Sequence, residues 1–248
     1  MNAICVIPAR LESTRLRRKL LKEINGKPLI QYVYENAKKA KKPSRVMVAC
    51  DDDKLMEAVK RFKGECLLTS AHHHSGTERL TEAAAQYKAD VFVNVQADEP
   101  LMDPSVIDDL ISAMEADSTY QMATACVKLR DEHEFHNPNV VKVVRNLKDE
   151  ALYFSRAAIP HDRGQNEHHF FKHLGVYAYR RDFLLKIPAL TKSRLEDREK
   201  LEQLRILDNG YAIKVLETAF DSIGVDTEED FKKVEHMIKT KLGKATHA

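Results

Sequence analysis

The sequence predicts an α/β fold built on a mostly parallel sheet, and three observations carry that expectation. Short runs rich in β-branched residues, Ile4 to Ile7, Val46 to Ala49 and Val91 to Val95, lack polar alternation and read as strands buried on both faces. Stretches of helical length lie between them, as right-handed βαβ units require. Hydrophobic residues make up 43% and charged residues 31%, enough apolar material for a sizeable core and too much for a disordered chain.

Taken in order, the first strand is Ile4 to Ile7, and a helix opens near Pro28, whose missing N–H costs nothing in a first helical turn. The strand Val46 to Ala49 leads into a helix from about Asp52 to Phe62. A third helix, from about Thr77 to Tyr87, precedes the strand Val91 to Val95, and Asp103-Pro104 opens another that runs to about Ala116. From Gln121 the texture changes. Met122 to Leu129, Val140 to Arg145 and His173 to Tyr179 predict strands with fewer helices between them, and the polar, histidine-rich stretch Pro160 to Phe170 predicts a loop. A helix is expected from Leu195 to about Leu207, with Leu201, Leu204 and Leu207 on one stripe and Asn209-Gly210 as its stop. Ile213 to Leu216 returns to strand, and Thr227 opens the last helix with Asp230 completing a weak capping box. No repeat, low-complexity tract or linker interrupts the chain, so residues 1–248 are expected to form one domain with a smaller mixed insertion at about 121–210.

Charge and composition narrow the function classes. Lys plus Arg is 40 and Asp plus Glu is 38, a net +2 that lacks the basic footprint of a nucleic-acid binder. No apolar run approaches the roughly eighteen residues of a membrane span, so no membrane insertion is expected. The N-terminus lacks the basic segment of a secretory signal, which makes the cytoplasm the expected compartment. Cys5, Cys50, Cys66 and Cys126 form no Cys-x-x-Cys pair, so metal-finger and redox readings have no spacing to rest on. Cys5, Cys50 and Cys126 sit in apolar runs and read as small buried hydrophobes.

In an open parallel sheet ligands bind beyond the carboxyl ends of the strands, so the residues following each strand are the candidates. After the first strand, Arg10, Arg15, Arg17, Arg18 and Lys19 cluster in a loop. Such a cluster can neutralise a triphosphate, the arginines as planar forks and the lysine as a point charge; a solvated basic run is the alternative. No glycine occurs between Pro8 and Lys19, so this is not a P-loop. Gln96-Ala97-Asp98-Glu99-Pro100 follows the strand ending at Val95, and its acidic pair suits a hard cation such as Mg²⁺. Asp226, after the apolar step Gly224-Val225, is a second candidate ligand, or else the N-cap of the last helix. His72-His73-His74, and His168, His169 and His173, lack a His-Glu-x-x-His pattern and read as loop polarity or substrate contacts rather than as zinc ligands.

These blocks, taken together, resemble a known family. Ile7-Pro8-Ala9-Arg10 with Ser13, Arg15-Leu16 and Lys19, then Asn25-Gly26-Lys27-Pro28-Leu29, Ser75-Gly76-Thr77-Glu78-Arg79, Val93-Asn94-Val95-Gln96 and Asp98-Glu99-Pro100 are similar to the 3-deoxy-manno-octulosonate cytidylyltransferases (CMP-Kdo synthetases). The likeness continues through Ala151 to Arg156, Ile159-Pro160, His173 to Tyr177, Leu201 to Arg205 and Val225-Asp226-Thr227, in family order along nearly the whole chain. The resemblance implies a Rossmann-like nucleotidyltransferase fold, glycosyltransferase-A-like and three-layered, in a homodimer that transfers CMP from CTP to a Kdo-type sugar acid and releases pyrophosphate. It implies that Arg10, Arg15 and Lys19 hold phosphates, that Ala9, Ser75 and Gln96 lie around cytosine, and that Arg79 lies near the nucleotide. Asp98 and Asp226 are implied to bind Mg²⁺, and Arg156, His173, Tyr177, Glu202 and Gln203 to line the sugar pocket.

The chain also departs from that pattern. Arg17-Arg18 stand where the family usually has Pro-Gly, Leu20 replaces a usual proline, and Ala97 replaces a usual glycine. Loss of that glycine removes easy access to positive φ in the loop. The departures fall on the CTP side. They leave two alternatives beside the Kdo reaction: a related acceptor, 8-amino-Kdo or a sialic acid, and a nucleotide-binding homologue with little turnover.

Overall fold

The computed structural model describes residues 1–13, 15–163 and 170–245, and for 241–245 the backbone alone. In chain order its strands and helices are β1 (Ala3–Ala9), β2 (Glu23–Ile24), β3 (Lys27–Pro28), α1 (Leu29–Ala37), β4 (Arg45–Cys50), α2 (Asp53–Arg61), β5 (Cys66–Leu68), α3 (Gly76–Gln86), β6 (Val91–Asn94) and α4 (Pro104–Ala116). The second half adds β7 (Met122–Lys128), α5 (Glu132–His136), β8 (Lys142–Arg145), β9 (Ala151–Ser155), β10 (Phe171–Arg180), α6 (Arg181–Leu184), α7 (Arg194–Glu199), α8 (Gln203–Asp208), β11 (Ile213–Thr218) and α9 (Glu228–Ala245).

The main sheet runs in the order β11-β7-β10-β6-β1-β4-β5. β1 pairs in parallel with β4 and β6, β4 with β5, and β7 with β11. β10 alone is antiparallel to both neighbours, β6 and β7, so it is the one reversed strand on this path. β8 and β9 form an antiparallel hairpin joined to the sheet at Lys172↔Lys142. Alternation along β1 sends Ala3, Cys5, Ile7 and Ala9 to one face, where they pack with Val33 of α1, Val59 of α2, Leu110 of α4 and Val234 of α9. Ile4 and Val6 face the other side, toward Leu80 of α3, Leu184 of α6 and Leu204 of α8. Helices on both faces of a mostly parallel sheet make the three layers that the family resemblance implies.

Local chemistry explains the remaining elements. Asn25 (φ 50°) and Gly26 (φ 73°) form the two-residue turn between β2 and β3, both in the left-handed region that a type I′ hairpin needs. Cys5, Cys50 and Cys126 are buried and free, as their apolar contexts predict, and burial pushes the Cys5 thiol up to about 12, which leaves it without nucleophilic character.

The structure corrects the single helix expected from Leu195 to Leu207. It is two short helices, α7 and α8, because Lys200 adopts a left-handed conformation (φ 55°) and its N–H closes the last turn of α7 on the Glu196 carbonyl. Leu201 is buried in the connection instead of continuing a stripe. Pro28 likewise stands at the N-cap of α1 rather than inside its first turn.

Candidate active site

With six strands of the main path pointing one way, the loops after β1, β4, β5, β6 and β11 leave the sheet along one edge, and the reversed β10 begins there. Side chains tie these loops together. The Leu11 N–H, just past β1, donates to Asp51 Oδ1 at 2.9 Å, just past β4. Arg10 Nη2 donates to the His73 carbonyl at 2.7 Å. Arg79 of α3 is fully buried: Nη1 donates to Thr69 Oγ1 at 2.5 Å and to the Ser70 carbonyl at 3.2 Å, while Nη2 lies 3.4 Å from Asp51 Oδ2. Burial pulls the Arg79 pKa down and Asp51 opposes it. Arg79 is therefore part of the site wall, fixing the loop after β5, and its buried Nε has no partner.

Ser75 is the N-cap of α3, its Oγ accepting the Glu78 N–H at 3.2 Å. Gln96 reaches across to β10, where Nε2 donates to the Gly175 carbonyl at 2.9 Å. A Cβ on Gly175 would lie 3.3 Å from Gln96 Cγ, and the β10–β7 register shifts between Leu174 and Tyr177. Glycine at this point thus permits both a strand irregularity and the close approach of Gln96.

At the centre of the edge, Lys19 Nζ sits between two carboxylates, 2.6 Å from Asp98 Oδ2 and 3.0 Å from Asp226 Oδ1. Arg15 Nη2 lies 2.8 Å from Asp226 Oδ2. Burial works to lower the Lys19 pKa, but the charges and hydrogen bonds of Asp98 and Asp226 outweigh it and hold the ammonium above its ordinary value. The three residues come together although 207 positions separate Lys19 from Asp226.

Asp226 does not arrive at the end of a strand, as the sequence suggests. After β11 the chain leaves the edge of the sheet and crosses its carboxyl end to the centre. From β11 to β6 is three strand spacings, roughly 14 Å, well within the reach of eight residues. Two contacts fix this traverse: the Val225 N–H donates to the Asp98 carbonyl at 2.9 Å, and Ser222 Oγ donates to Glu99 Oε2 at 2.6 Å. Asp226 is not the helix cap either. Thr227 Oγ1 accepts the Asp230 N–H at 3.1 Å while Asp230 Oδ2 accepts the Thr227 N–H at 2.9 Å, a reciprocal capping box that leaves the Asp226 carboxylate to the site.

The other side of the edge is built by β9, β10 and the α7–α8 segment. His173 is buried, its ring edge-on to Phe154 (4.9 Å between centroids) and 5.4 Å from the Tyr177 ring. Its Nε2 lies 3.0 Å from Thr124 Oγ1, and that hydroxyl donates its single hydrogen to the Val176 carbonyl at 2.7 Å. Nε2 must then carry the ring proton, leaving Nδ1 as an acceptor. Burial pushes the His173 pKa down to about 3, so the ring is neutral. Burial raises the Tyr177 hydroxyl well above its ordinary value, and the negative charge of Glu202 acts in the same direction. Gln203 is buried and its Nε2 has no partner. Arg156 donates from Nε to the Glu199 carbonyl at 2.8 Å and from Nη1 to the Pro138 carbonyl at 3.1 Å.

The sequence does not single out Asp51, Lys142, Glu199 or Ser222. Each acts through partners remote in the chain, and no local spacing announces such a role. His168 and His169 lie outside the described residues. His73 Nε2 lies 2.6 Å from Glu82 Oε2, which makes the histidine run part of the loop framework. No described helix is long and apolar enough to cross a membrane.

Comparison with known proteins bears on the fold and the family. The family model described as Cytidylyltransferase matches residues 4–230. A 3-deoxy-manno-octulosonate cytidylyltransferase of Geotalea daltonii is 47% identical over 96% of this chain and 99% of its own length. One from Fusobacterium nucleatum is 43% identical over 96% and 98%. The solved structure of a CMP:2-keto-3-deoxy-manno-octonic acid synthetase complexed with CTP is 40% identical, covers 97% of this chain and 100% of its own, and superposes with a TM-score of 0.93. A 4-diphosphocytidyl-2C-methyl-D-erythritol synthase from Anaerococcus prevotii, 10% identical with a TM-score of 0.65, shares the fold alone. The chain belongs to the 3-deoxy-manno-octulosonate cytidylyltransferase family.

Proposed function

We propose that this protein transfers CMP from CTP to 3-deoxy-D-manno-octulosonate (Kdo), forming CMP-Kdo for lipopolysaccharide synthesis and releasing pyrophosphate. The observation that supports it best is the convergence of Arg15, Lys19, Asp98 and Asp226 at the carboxyl edge of a fold shared with a CTP-bound synthetase. In the reaction the anomeric oxygen of Kdo attacks the α-phosphorus of CTP in line. The bond from that phosphorus to the bridging oxygen breaks, pyrophosphate leaves with its electron pair, and the hydroxyl proton passes to solvent.

The carboxylate pair fits Mg²⁺. Asp98 and Asp226 already share one cationic group, the Lys19 ammonium, and two hard carboxylates completed by phosphate oxygens are a usual Mg²⁺ environment. Asp98 and Asp226 would hold Mg²⁺, which would supply Lewis-acid polarisation of the α-phosphate and orientation of the acceptor hydroxyl. Arg10, Arg15 and Lys19 stabilise the charge that develops on the leaving pyrophosphate. Ala9, Ser75 and Gln96 form the cytosine side, with Arg79 holding the loop between them. Arg156 meets the carboxylate of the sugar acid; its guanidinium has five N–H groups, and the two bonds to backbone carbonyls use two of them. Nδ1 of His173 accepts a sugar hydroxyl, while Tyr177, Glu202 and the unpartnered amide of Gln203 complete the pocket. Residues 1–248 act as one domain, with the sugar-binding and dimerisation part at about 121–210, in a cytoplasmic homodimer.

The test is pyrophosphate release with each of four nucleoside triphosphates crossed with Kdo, 8-amino-Kdo and a sialic acid. CTP with Kdo should be fastest, because a pocket built around the polar edge of cytosine leaves its groups unpaired with purines. Equal rates with ATP, GTP and CTP would refute the cytosine assignment. Binding of CTP without release from any acid would identify a nucleotide-binding homologue.

A further inference from the structure

Lys142, at the start of β8, has no solvent exposure. It lies in register between Ser155 of β9 and Lys172 of β10. Among the described residues its ammonium pairs with no carboxylate. It donates instead to three backbone carbonyls, those of Asn137 at 2.9 Å, Val140 at 2.6 Å and Arg156 at 2.7 Å. A buried cation is costly unless every donor is satisfied, and here three donors meet three acceptors. Burial pulls the Lys142 pKa down; the charge of Glu199 opposes this and that of Arg156 adds to it. A residue serving only to fill space at this strand position would be apolar, so the choice of lysine calls for another reason.

The three acceptors supply that reason. One is the carbonyl of Arg156 itself. The other two, Asn137 and Val140, bracket Pro138, whose carbonyl accepts Arg156 Nη1 at 3.1 Å. Lys142 thus fixes the backbone from which the Arg156 side chain springs and also the turn that receives its guanidinium. Glu199 holds the same residue from the opposite side: Oε2 accepts the Arg156 N–H at 2.9 Å, Oε1 accepts the Ser155 hydroxyl at 2.6 Å, and its carbonyl accepts Arg156 Nε at 2.8 Å. A guanidinium on a long flexible stem meets a carboxylate in a defined geometry only if its rotamers are locked beforehand.

We infer that Lys142 is a positioning residue for acceptor recognition: with Glu199 it forms a buried clamp that pre-aims Arg156 at the carboxylate of the sugar acid. The inference rests on the reading of Arg156 as the carboxylate contact. It assigns a determinant of sugar affinity to a residue that meets neither substrate.

The test is steady-state pyrophosphate release by Lys142→Met, Arg156→Ala and the double variant, each titrated separately with CTP and with Kdo. Lys142→Met should raise the KM for Kdo about tenfold or more, the scale expected from losing one charge-assisted hydrogen bond, while the KM for CTP stays within about twofold. In the Arg156→Ala background the same change should add little, because a residue that acts only through Arg156 has nothing left to position. If Lys142→Met unfolds, Glu199→Gln, altered at a half-buried side chain on the other side of the clamp, should show the same split. Equal increases in both KM values, or additive effects in the double variant, would mean that Lys142 merely supports the fold, and the clamp would be wrong. An Arg156→Ala protein with an unchanged KM for Kdo would overturn the carboxylate contact, and the clamp with it. An effect of Arg156→Ala without one from Lys142→Met or Glu199→Gln would overturn the clamp alone.

Discussion

Replacing Asp226 by Asn separates a metal ligand from a structural anchor, because the structure shows how little else the carboxylate holds. The capping of α9 belongs to Thr227 and Asp230. Arg15 and Asp226 have side chains 59% and 40% exposed, so their ion pair contributes at most about 1 kcal/mol. Lys19 keeps its 2.6 Å partner Asp98, and the amide oxygen of Asn still offers it an acceptor. Total destabilisation should therefore stay near 1 kcal/mol, which in a chain of this size lowers Tm by roughly 2–4 °C. Catalysis should respond on a different scale. A cation shared by two carboxylates loses half of its protein charge, and a hundredfold fall in kcat corresponds to about 2.7 kcal/mol of transition-state stabilisation. The assay is pyrophosphate release at saturating CTP and Kdo, with a thermal melt of the same preparation and a Mn²⁺ titration followed by electron paramagnetic resonance. A kcat lowered by about a hundredfold or more, weaker Mn²⁺ binding and a melt within a few degrees of the wild type are expected. Near-normal turnover in a folded Asp226→Asn protein would refute the metal pair and leave Asp226 as a counter-ion for Lys19.

Arg18 and His173 give two further tests. Arg18 already occupies the left-handed region (φ 51°, ψ 36°) for which the family's usual glycine is suited. Arg18→Gly relieves about 1 kcal/mol of backbone strain, but gives up an exposed ion pair with Glu12 and adds unfolded-state entropy of similar size. Its Tm should stay within about 3 °C and its KM for CTP within about threefold, whereas β-branched Arg18→Val, strained at positive φ, should raise that KM and lower Tm; indistinguishable Gly and Val variants would sink this reading of the loop. His173 titrates near 6.5 when unfolded and is pushed down to about 3 by burial when folded. The unfolded state therefore binds more protons between these values, so the stability from keeping the ring neutral is complete above pH 6.5 and is lost as pH falls toward 3. Urea unfolding at pH 7.5 and pH 5 should show the wild type losing up to roughly 2 kcal/mol more than His173→Gln, and equal losses would contradict the buried neutral ring.

The parallel half of the sheet was readable because its strands are apolar runs with no alternation, and its loops carry their chemistry within a few residues of a strand end. Arg10 and Asp98 fall in that class, and Lys19 ends the basic cluster that Arg10 begins. β5 is three residues long, and one such residue, Leu68, is exposed, so no hydrophobic period marks it. The break between α7 and α8 is hidden because lysine, not glycine, takes the left-handed position at residue 200. Asp226 could be nominated from its apolar approach, but its traverse depends on the Val225 and Ser222 contacts made with residues of the Asp98 loop. Lys142 is the clearest case of what spacing cannot show: in sequence it is one charge inside a β-branched run, and only the fold brings three carbonyls to it.

The reversed strand explains how the proposed nucleotide and acceptor subsites come to share one edge of the sheet. A parallel strand between β6 and β7 would bring its last residues to the active edge, directly followed by a crossover. β10 instead brings its first residues, so the β8–β9 excursion that precedes it, with Arg156 and the Lys142 clamp, joins the sheet on the edge where the nucleotide loops emerge. Gly175 and the irregularity beside it then let Gln96, from the nucleotide side, bond to β10 two residues from His173. Arg17, Arg18 and Ala97 belong to loops after β1 and β6, whereas Lys142, Arg156 and Glu199 belong to the excursion and the α7 segment. Their effects should therefore separate into CTP affinity for the first group and acceptor affinity for the second, and the Gln96–Gly175 bond is one side-chain contact through which a change in either half is placed to reach the other.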